Sequence, residues 1–317
     1  MTDAETKPET NVETRAGFVA VLGAPNAGKS TLVNALVGSK VSIVTKKVQT
    51  TRMPVRGIAL HGPAQIIFVD TPGIFAPKRR LDRAMVKAAW GGAADADAIL
   101  VVVDAPDVAA HPNSFAAGDT DRIIEGMEKA KRRAALVLNK TDGMKRLDLL
   151  PLADELNRRG IFDRVFMVSA LKGEGLPDIL SYCAERVPAS PWLYPEDQVA
   201  DIPSRLFAAE ITREKVYLRL HEELPYSSAV VTDSWKENKD GSVRIDQTIF
   251  VEREGQKGIV VGKGGLTIKK IGELARAEME ELFGRRVHLF LHSKVNERWG
   301  ETPAHYREWG LEFLKDQ

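Results

Sequence analysis

The stretch GAPNAGKST, residues 23–31, directly follows the apolar run FVAVL and narrows the possible folds more than any other part of the chain. Gly23, Gly28, Lys29 and Ser30 satisfy the spacing G-x-x-x-x-G-K-[ST], and a strand feeding a glycine loop that opens a helix is the context in which that spacing cradles phosphate. Backbone N–H groups of such a loop face β-phosphate oxygens, and the helix N-terminus adds positive potential. Lys29 is placed to reach the β/γ oxygens and Ser30 to ligate magnesium. The loop residues Gly23, Ala24, Pro25, Asn26, Ala27, Gly28, Lys29, Ser30 and Thr31 are therefore expected to line a nucleotide site.

The surrounding pattern agrees with that context. From Gly17 to Ala170, apolar runs (GIAL, AQIIFVD, AILVVVD, AALVLN, VFMVSA) alternate with helical patterns near Asp82–Ala93 and Asp119–Lys131. Fully apolar strands separated by helices indicate an α/β domain with a mostly parallel sheet covered on both faces. At 317 residues the chain suggests two domains, on a prior of roughly 150 residues each. Residues 187–203 hold four prolines and few helix formers, which reads as a linker. The expected organisation is a disordered lead at 1–16, a nucleotide domain at 17–186, a linker at 187–203, and a second domain with a tail at 204–317.

Three further motifs fall at strand ends in chain order. Asp70, Thr71, Pro72 and Gly73 end AQIIFVD, where an aspartate can hold magnesium through water and a glycine N–H can meet a γ-phosphate. Asn139, Lys140, Thr141 and Asp142 end AALVL. The Asp142 carboxylate can accept from guanine N1–H and its exocyclic amine, whereas adenine would leave it unpaired, so the motif selects GTP over ATP. Ser169, Ala170 and Leu171 end the last strand, where the Ala170 N–H can donate to guanine O6. Successive strand ends are where open α/β sheets bind ligands.

With these motifs the chain resembles the translation-factor-like GTPases and, within them, the Era family: G-x-P-N-x-G-K-S at 23–30, QTTR at 49–52, DTPG, NKTD and SALKGEG at 169–175 all match. The resemblance implies a P-loop GTPase domain using Mg2+, with QTTR as its first switch and Thr51 or Thr50 closing on magnesium and the γ-phosphate. Lys29, Thr51 and Gly73 are the expected catalytic contacts, and Ser30, Thr51 and Asp70 the expected magnesium set. Residue 74 is Ile where Ras-like enzymes carry the glutamine that orients water, which implies slow intrinsic turnover. Asn26 has two readings: a residue suited to a left-handed turn, or, as in related GTPases, one that helps hold K+.

The second glycine loop, Gly262-Lys263-Gly264-Gly265, lacks P-loop spacing. A short helical segment near 256–261 and a longer one from Leu266 flank it, and the order helix, strand, strand, short helix, loop, helix, strand matches a KH domain, whose G-x-x-G loop clamps about four nucleotides. Phe207, Ile211 and Leu218 fit one helix face; Val243, Ile245, Ile249 and Val251 alternate as a strand, as do Val287, Leu289 and Leu291. Lys257, Lys263, Lys269 and Lys270 cluster around the loop, although the whole chain carries a net charge of only +1. The expected second domain is thus an α+β KH domain of type 2.

The resemblance to Era extends through AEITREKVY, ELPYS, GQKGIVVGKGG and VHLFLHSKV, and departs from it at 105–121, APDVAAHPNSFAAGDTD. It implies binding of 16S ribosomal RNA near its 3′ end and maturation of the 30S subunit. The alternative is a membrane-associated or cell-cycle signalling GTPase whose C-terminal domain binds protein. One cysteine, Cys183, admits no internal disulfide, and no apolar run approaches 18 residues. The expected location is the cytoplasm, with peripheral attachment at the inner face of the membrane left open. His288 and His292 share strand parity but lack partners for a metal.

Overall fold

The computed structural model describes residues 13–45, 47, 50–220 and 227–314. The expected disordered lead falls mostly outside the described residues, as do Gln49 of QTTR and most of ELPYS.

The first domain runs β1 (Arg15–Gly23), α1 (Lys29–Val37), β2 (Val55–His61), β3 (Ala64–Asp70), α2 (Arg80–Asp95), β4 (Ala98–Asp104), α3 (Ala105–Ala110), α4 (Phe115–Lys129), β5 (Ala134–Asn139), α5 (Arg146–Asn157), β6 (Phe162–Met167) and α6 (Leu176–Arg186). With β7 (Ala200–Asp201), the strands form one seven-stranded sheet in the order β6-β5-β4-β1-β3-β2-β7. All neighbours are parallel except those of β2, which runs antiparallel to both β3 and β7.

β1 shows why the apolar runs do not alternate with polar residues. Val19 and Val21 pack in one core beneath α1 and α6, while Ala20 and Leu22 pack in the opposite core with Ala89 and Ala93 of α2, Ile123 and Ile124 of α4 and Leu152 of α5. A strand covered on both faces has no polar side. Because β3 and β4 flank β1 on opposite sides, the loop after β1 emerges at the topological switch point of the sheet.

Three helices differ from the expectation. The stretch between β4 and the expected helix at Asp119 forms α3, started by Asp104 accepting from the Asp107 N–H at 3.3 Å, and α4 begins at Phe115 with Ser114 accepting from the Ala117 N–H at 3.2 Å. α5 forms despite an internal Pro151, its Leu149, Leu152 and Leu156 buried in the core.

The second domain comprises α7 (Ser204–Arg219), β8 (Ser228–Glu237), β9 (Val243–Val251), α8 (Glu254–Val261), α9 (Leu266–Phe283) and β10 (Val287–Val295), followed by α10 (Pro303–Glu308). Its sheet has the order β10-β9-β8, with β10 parallel and β8 antiparallel to β9. Val243, Ile245, Ile249 and Val251 are all buried, facing Ala208, Ile211 and Val216 of α7 and Ile271, Ala275 and Met279 of α9. Leu218 departs from the expected buried face: Val216 and Tyr217 take the core positions of that turn, and Leu218 is 56% exposed.

The domains pack through Met53, Val55, Leu81 and Met85 against Ala229, Trp299, Tyr306 and Trp309. Arg52 spans this boundary while 3% exposed. Its guanidinium donates to the Ser228 carbonyl at 2.7 Å and the Tyr217 hydroxyl at 3.0 Å, and lies 5.2 Å from the Trp299 ring centroid.

Residues 187–203 do not hang free. Ala189 bridges Arg15, the Ile58 N–H donates to the Val199 carbonyl, and β7 pairs with β2. Gln65, fully buried on β3, fastens the middle: its Oε1 accepts from the N–H groups of Leu193 (2.8 Å) and Tyr194 (2.9 Å), and its Nε2 donates to the Tyr194 carbonyl (2.8 Å). Gln65→Ala removes all three partners and should lower unfolding stability by roughly 1–3 kcal/mol. Urea denaturation should show this as a lower midpoint, with proteolytic nicking appearing first within 187–203.

Candidate nucleotide site and nucleic-acid interface

The carboxyl ends of β1, β3, β4 and β5 open into a cleft of about 910 Å³ lined by Asn26, Lys29, Ser30, Thr51, Gly73, Asn139, Asp142 and Ala170. Gly28 stands at φ 93, and a Cβ there would lie 2.3 Å from the Asn139 side chain. Asn26, exposed at the same turn, has φ 63. The turn by itself therefore calls for an asparagine.

Lys29 is 6% exposed, and its ammonium donates to the carbonyls of Gly23 (3.1 Å) and Ala24 (3.0 Å). Burial pushes its pKa down to about 8, against the pull of Asp70. A buried ammonium held only by neutral carbonyls at the floor of a cleft favours an anion. Opposite it, Asp70 Oδ2 accepts from Ser30 Oγ at 2.7 Å and Thr51 Oγ1 at 3.3 Å, and the two hydroxyls lie 2.8 Å apart. Asp70 is fully buried, its Oδ1 has no hydrogen-bond partner among the described residues, and burial raises its pKa. Two hydroxyl oxygens converging on a buried carboxylate make a set of three hard donors that fits magnesium. Thr50 turns away, its hydroxyl bonded to Thr45 Oγ1 and the Lys47 carbonyl.

Gly73 is confined by proximity, since a Cβ there would lie 2.9 Å from the Pro25 nitrogen. Thr71 and Ile74 point inward: the Thr71 hydroxyl donates to the Val21 carbonyl at 2.7 Å, and Ile74 is fully buried. At the far end, Asp142 accepts from Ser169 Oγ at 2.7 Å, which lowers its pKa and keeps it anionic. Lys140, at φ 65, pairs with Asp104. Leu171 is exposed beside the cleft.

Known proteins are similar to this chain in sequence and in fold. A family model described as 50S ribosome-binding GTPase matches residues 18–140, and one described as KH domain matches 223–300. The curated relative GTPase Era of Mesorhizobium japonicum is 59% identical, covering 99% of this chain and 98% of its own. GTPase Era of Caulobacter vibrioides is 55% identical, covering 96% and 99%. The chain belongs to the Era family of GTPases. Two solved Era structures superpose with a TM-score of 0.86 at 38% identity, covering 94% of this chain and 99% of each: a single-residue variant of Aquifex aeolicus Era bound to GDP.AlF4-, and Era in complex with MgGDPNP and nucleotides 1506-1542 of 16S ribosomal RNA.

The Era-type second loop separates its glycines by role. Gly262, at φ 71, has Thr267 packed against it, so that a Cβ would lie 2.1 Å from Thr267 Oγ1; Gly264 and Gly265, at φ 61 and 77, face open space. Lys257 and Lys270 pair with Glu254 and Glu273 on their own helices. Lys263 and Lys269 make no ion pair among the described residues. Beside the loop, Ile259 and Leu266 are more than half exposed, an apolar flank that its i, i+7 spacing across a glycine turn concealed.

Sequence reasoning missed several cleft residues. Phe115 and Asp119 of α4 and Leu218 of α7 line it as well. The first two lie in the stretch that departs from the family pattern, and Leu218 sat in an apparent core stripe.

Asn139 ties the site together: its Nδ2 donates to the Ala27 carbonyl at 2.9 Å and its Oδ1 accepts from the Ala170 N–H at 3.1 Å, at 1% exposure. Asn139→Ala leaves a buried carbonyl and a buried N–H unpaired and should cost about 2–4 kcal/mol. The loss should appear in denaturant unfolding of the nucleotide-free protein, before any effect on binding is considered.

Proposed function

We propose that the protein is a cytoplasmic GTP-hydrolysing switch that binds 16S ribosomal RNA near its 3′ end through its KH domain and assists maturation of the 30S subunit. One observation carries the reading: 94% of the chain, taking in both halves, superposes on an Era structure that holds MgGDPNP and 16S nucleotides together. Among the described residues no helix is long and apolar enough to cross a membrane, and no observation favours the signalling alternative.

In this reading the P-loop N–H groups and Lys29 hold the β- and γ-phosphates. Ser30, Thr51 and Asp70 would hold magnesium, which supplies charge neutralisation on the phosphate oxygens when bound. Gly73, brought against Pro25, offers its N–H to the γ-phosphate. Asp142 and the Ala170 N–H read the guanine edge. Ile74, buried in the core, orients no water, so turnover is slow and the protein serves as a timer. The positive φ of Asn26 is explained by its turn, and no potassium role is proposed. Domain limits of 17–186 for the GTPase and 204–317 for the KH domain and tail go with this reading.

Base specificity tests the first half. Asp142→Asn keeps an acceptor for Ser169 but replaces the carboxylate that receives two guanine donors, so GTP affinity should fall by at least ~100-fold while XTP affinity rises. A competition titration with the two nucleotides measures it, and unchanged GTP affinity would refute the base-reading assignment.

Gly264→Asp tests the second half. The added Cβ meets no described atom within 4 Å, and aspartate is among the non-glycine residues most often found at positive φ, so the cost to the fold is small while a carboxylate enters the phosphate path. Affinity for a 16S 3′-end fragment should drop tenfold or more at fixed salt, as read by fluorescence anisotropy, with RNA-free GTP hydrolysis within twofold of wild type. RNA binding at wild-type strength would make the second loop a simple turn.

A further inference from the structure

Thr51 is held in the cleft from outside the GTPase domain. The segment that carries it lies against α7 of the KH domain at both ends. At the first end, Glu214 accepts from the Val44 N–H at 2.8 Å and pairs with Lys40 at 2.7 Å. At the second, the Arg213 guanidinium donates to the carbonyl oxygen of Thr50. That carbonyl and the Thr51 N–H belong to one planar peptide unit, so fixing the oxygen fixes the orientation from which the Thr51 side chain departs.

The donor is itself immobilised. Arg213 is 2% exposed; its Nε donates to Glu210 Oε1 at 2.7 Å, a second nitrogen meets Glu210 Oε2, and the guanidinium packs 5.1 Å from the Tyr217 ring centroid. A forked, planar donor locked against a carboxylate and an aromatic ring loses little entropy in making one more bond. On the other side of Thr51, the buried Arg52 is anchored to Tyr217 and Ser228, so residues 50 and 52 are both gripped by the KH domain while 51 faces Ser30 and Asp70. Leu218 of the same helix lines the nucleotide cleft.

We infer that Arg213 is a positioning residue for GTP hydrolysis: by holding the Thr50 carbonyl it presents the Thr51 hydroxyl to Ser30 and Asp70, so the GTP site is complete only with α7 docked. The inference rests on the GTPase reading above. It differs from an ordinary packing role because it acts only where Thr51 matters, in the triphosphate state; switch segments of this class are ordered by the γ-phosphate and released after hydrolysis.

The test uses full-length protein with Arg213→Met combined with Glu210→Gln, which keeps the stem's packing and leaves no buried carboxylate unpaired, and Arg213→Lys as the conservative variant. Urea unfolding identifies the folded population. Single-turnover GTP hydrolysis and the separate affinities for GTP and GDP are then measured across a magnesium titration. The double variant should hydrolyse about ten- to a hundredfold more slowly, need more magnesium for half-maximal rate, and bind GTP more weakly, with GDP affinity within twofold of wild type. Arg213→Lys, which retains one charged donor, should recover part of the rate. A double-variant rate within twofold of wild type overturns the inference, and so does an equal loss of GTP and GDP affinity, which marks a merely structural residue. A wild-type protein that hydrolyses no GTP would remove the functional reading itself, an outcome distinct from either.

Discussion

Parallel pairing of β1 with both β3 and β4 is the constraint on which the molecule depends. Strands paired in parallel release their chains at the same edge, and a central strand flanked on both sides leaves its own loop unobstructed there. The chemistry of the cleft follows from that edge: Gly23, Asp70, Asp104 and Asn139 each end a strand. The cross-links between these ends then make the edge rigid, since Asn139 fastens the P-loop to Ala170 and the Ile74 N–H fastens the DTPG turn to the Gly23 carbonyl at 3.1 Å. Two buried polar groups stand at that edge: the Lys29 ammonium, bonded to the Gly23 and Ala24 carbonyls, and the Asp70 carboxylate, whose Oδ1 has no hydrogen-bond partner among the described residues.

What the sequence revealed and what it hid divide along the range of the interactions. The glycine loop and the strand-end motifs were legible because their meaning lies in spacing within about eight residues and in the element before them. β9 was legible because Val243, Ile245, Ile249 and Val251 alternate against one face. The start of α4 was obscured because His111, Pro112 and Asn113 interrupt the apolar period, although Ser114 is a good N-cap. Pro151 obscured α5 in the same way. The docking of 187–203 could not be read locally, since it hangs on Gln65, more than a hundred residues earlier. Arg52 was visible as part of QTTR without any sign that its guanidinium leaves the GTPase domain.

The two glycine loops also show that one residue type answers two demands. Gly28 and Gly262 are glycines because a Cβ would strike protein atoms, the Asn139 amide in one case and Thr267 in the other. Gly264 and Gly265 have no described atom within 4 Å of a would-be Cβ, and it is their positive φ values, 61 and 77, that call for glycine. The two domains are also tied by Lys40, which follows α1 and pairs with Glu214 on α7 and with Glu278 on α9, the helix that starts at the second loop.

The fastening of 187–203 has a mechanical consequence. β7 ends at Asp201 on the rim of the GTPase sheet and α7 begins at Ser204, so only Ile202 and Pro203 lie between a fixed strand and the helix that carries the KH domain. Three peptide steps reach no more than ~11 Å, and Pro203 locks its own φ. The KH domain is therefore mounted like a door on a short pin and can swing but not drift. Its swing has Arg52, Lys40 and Arg213 as latches, each joining the segment around Thr51 to the KH domain, so a small rotation at the pin would carry the second glycine loop through a larger arc.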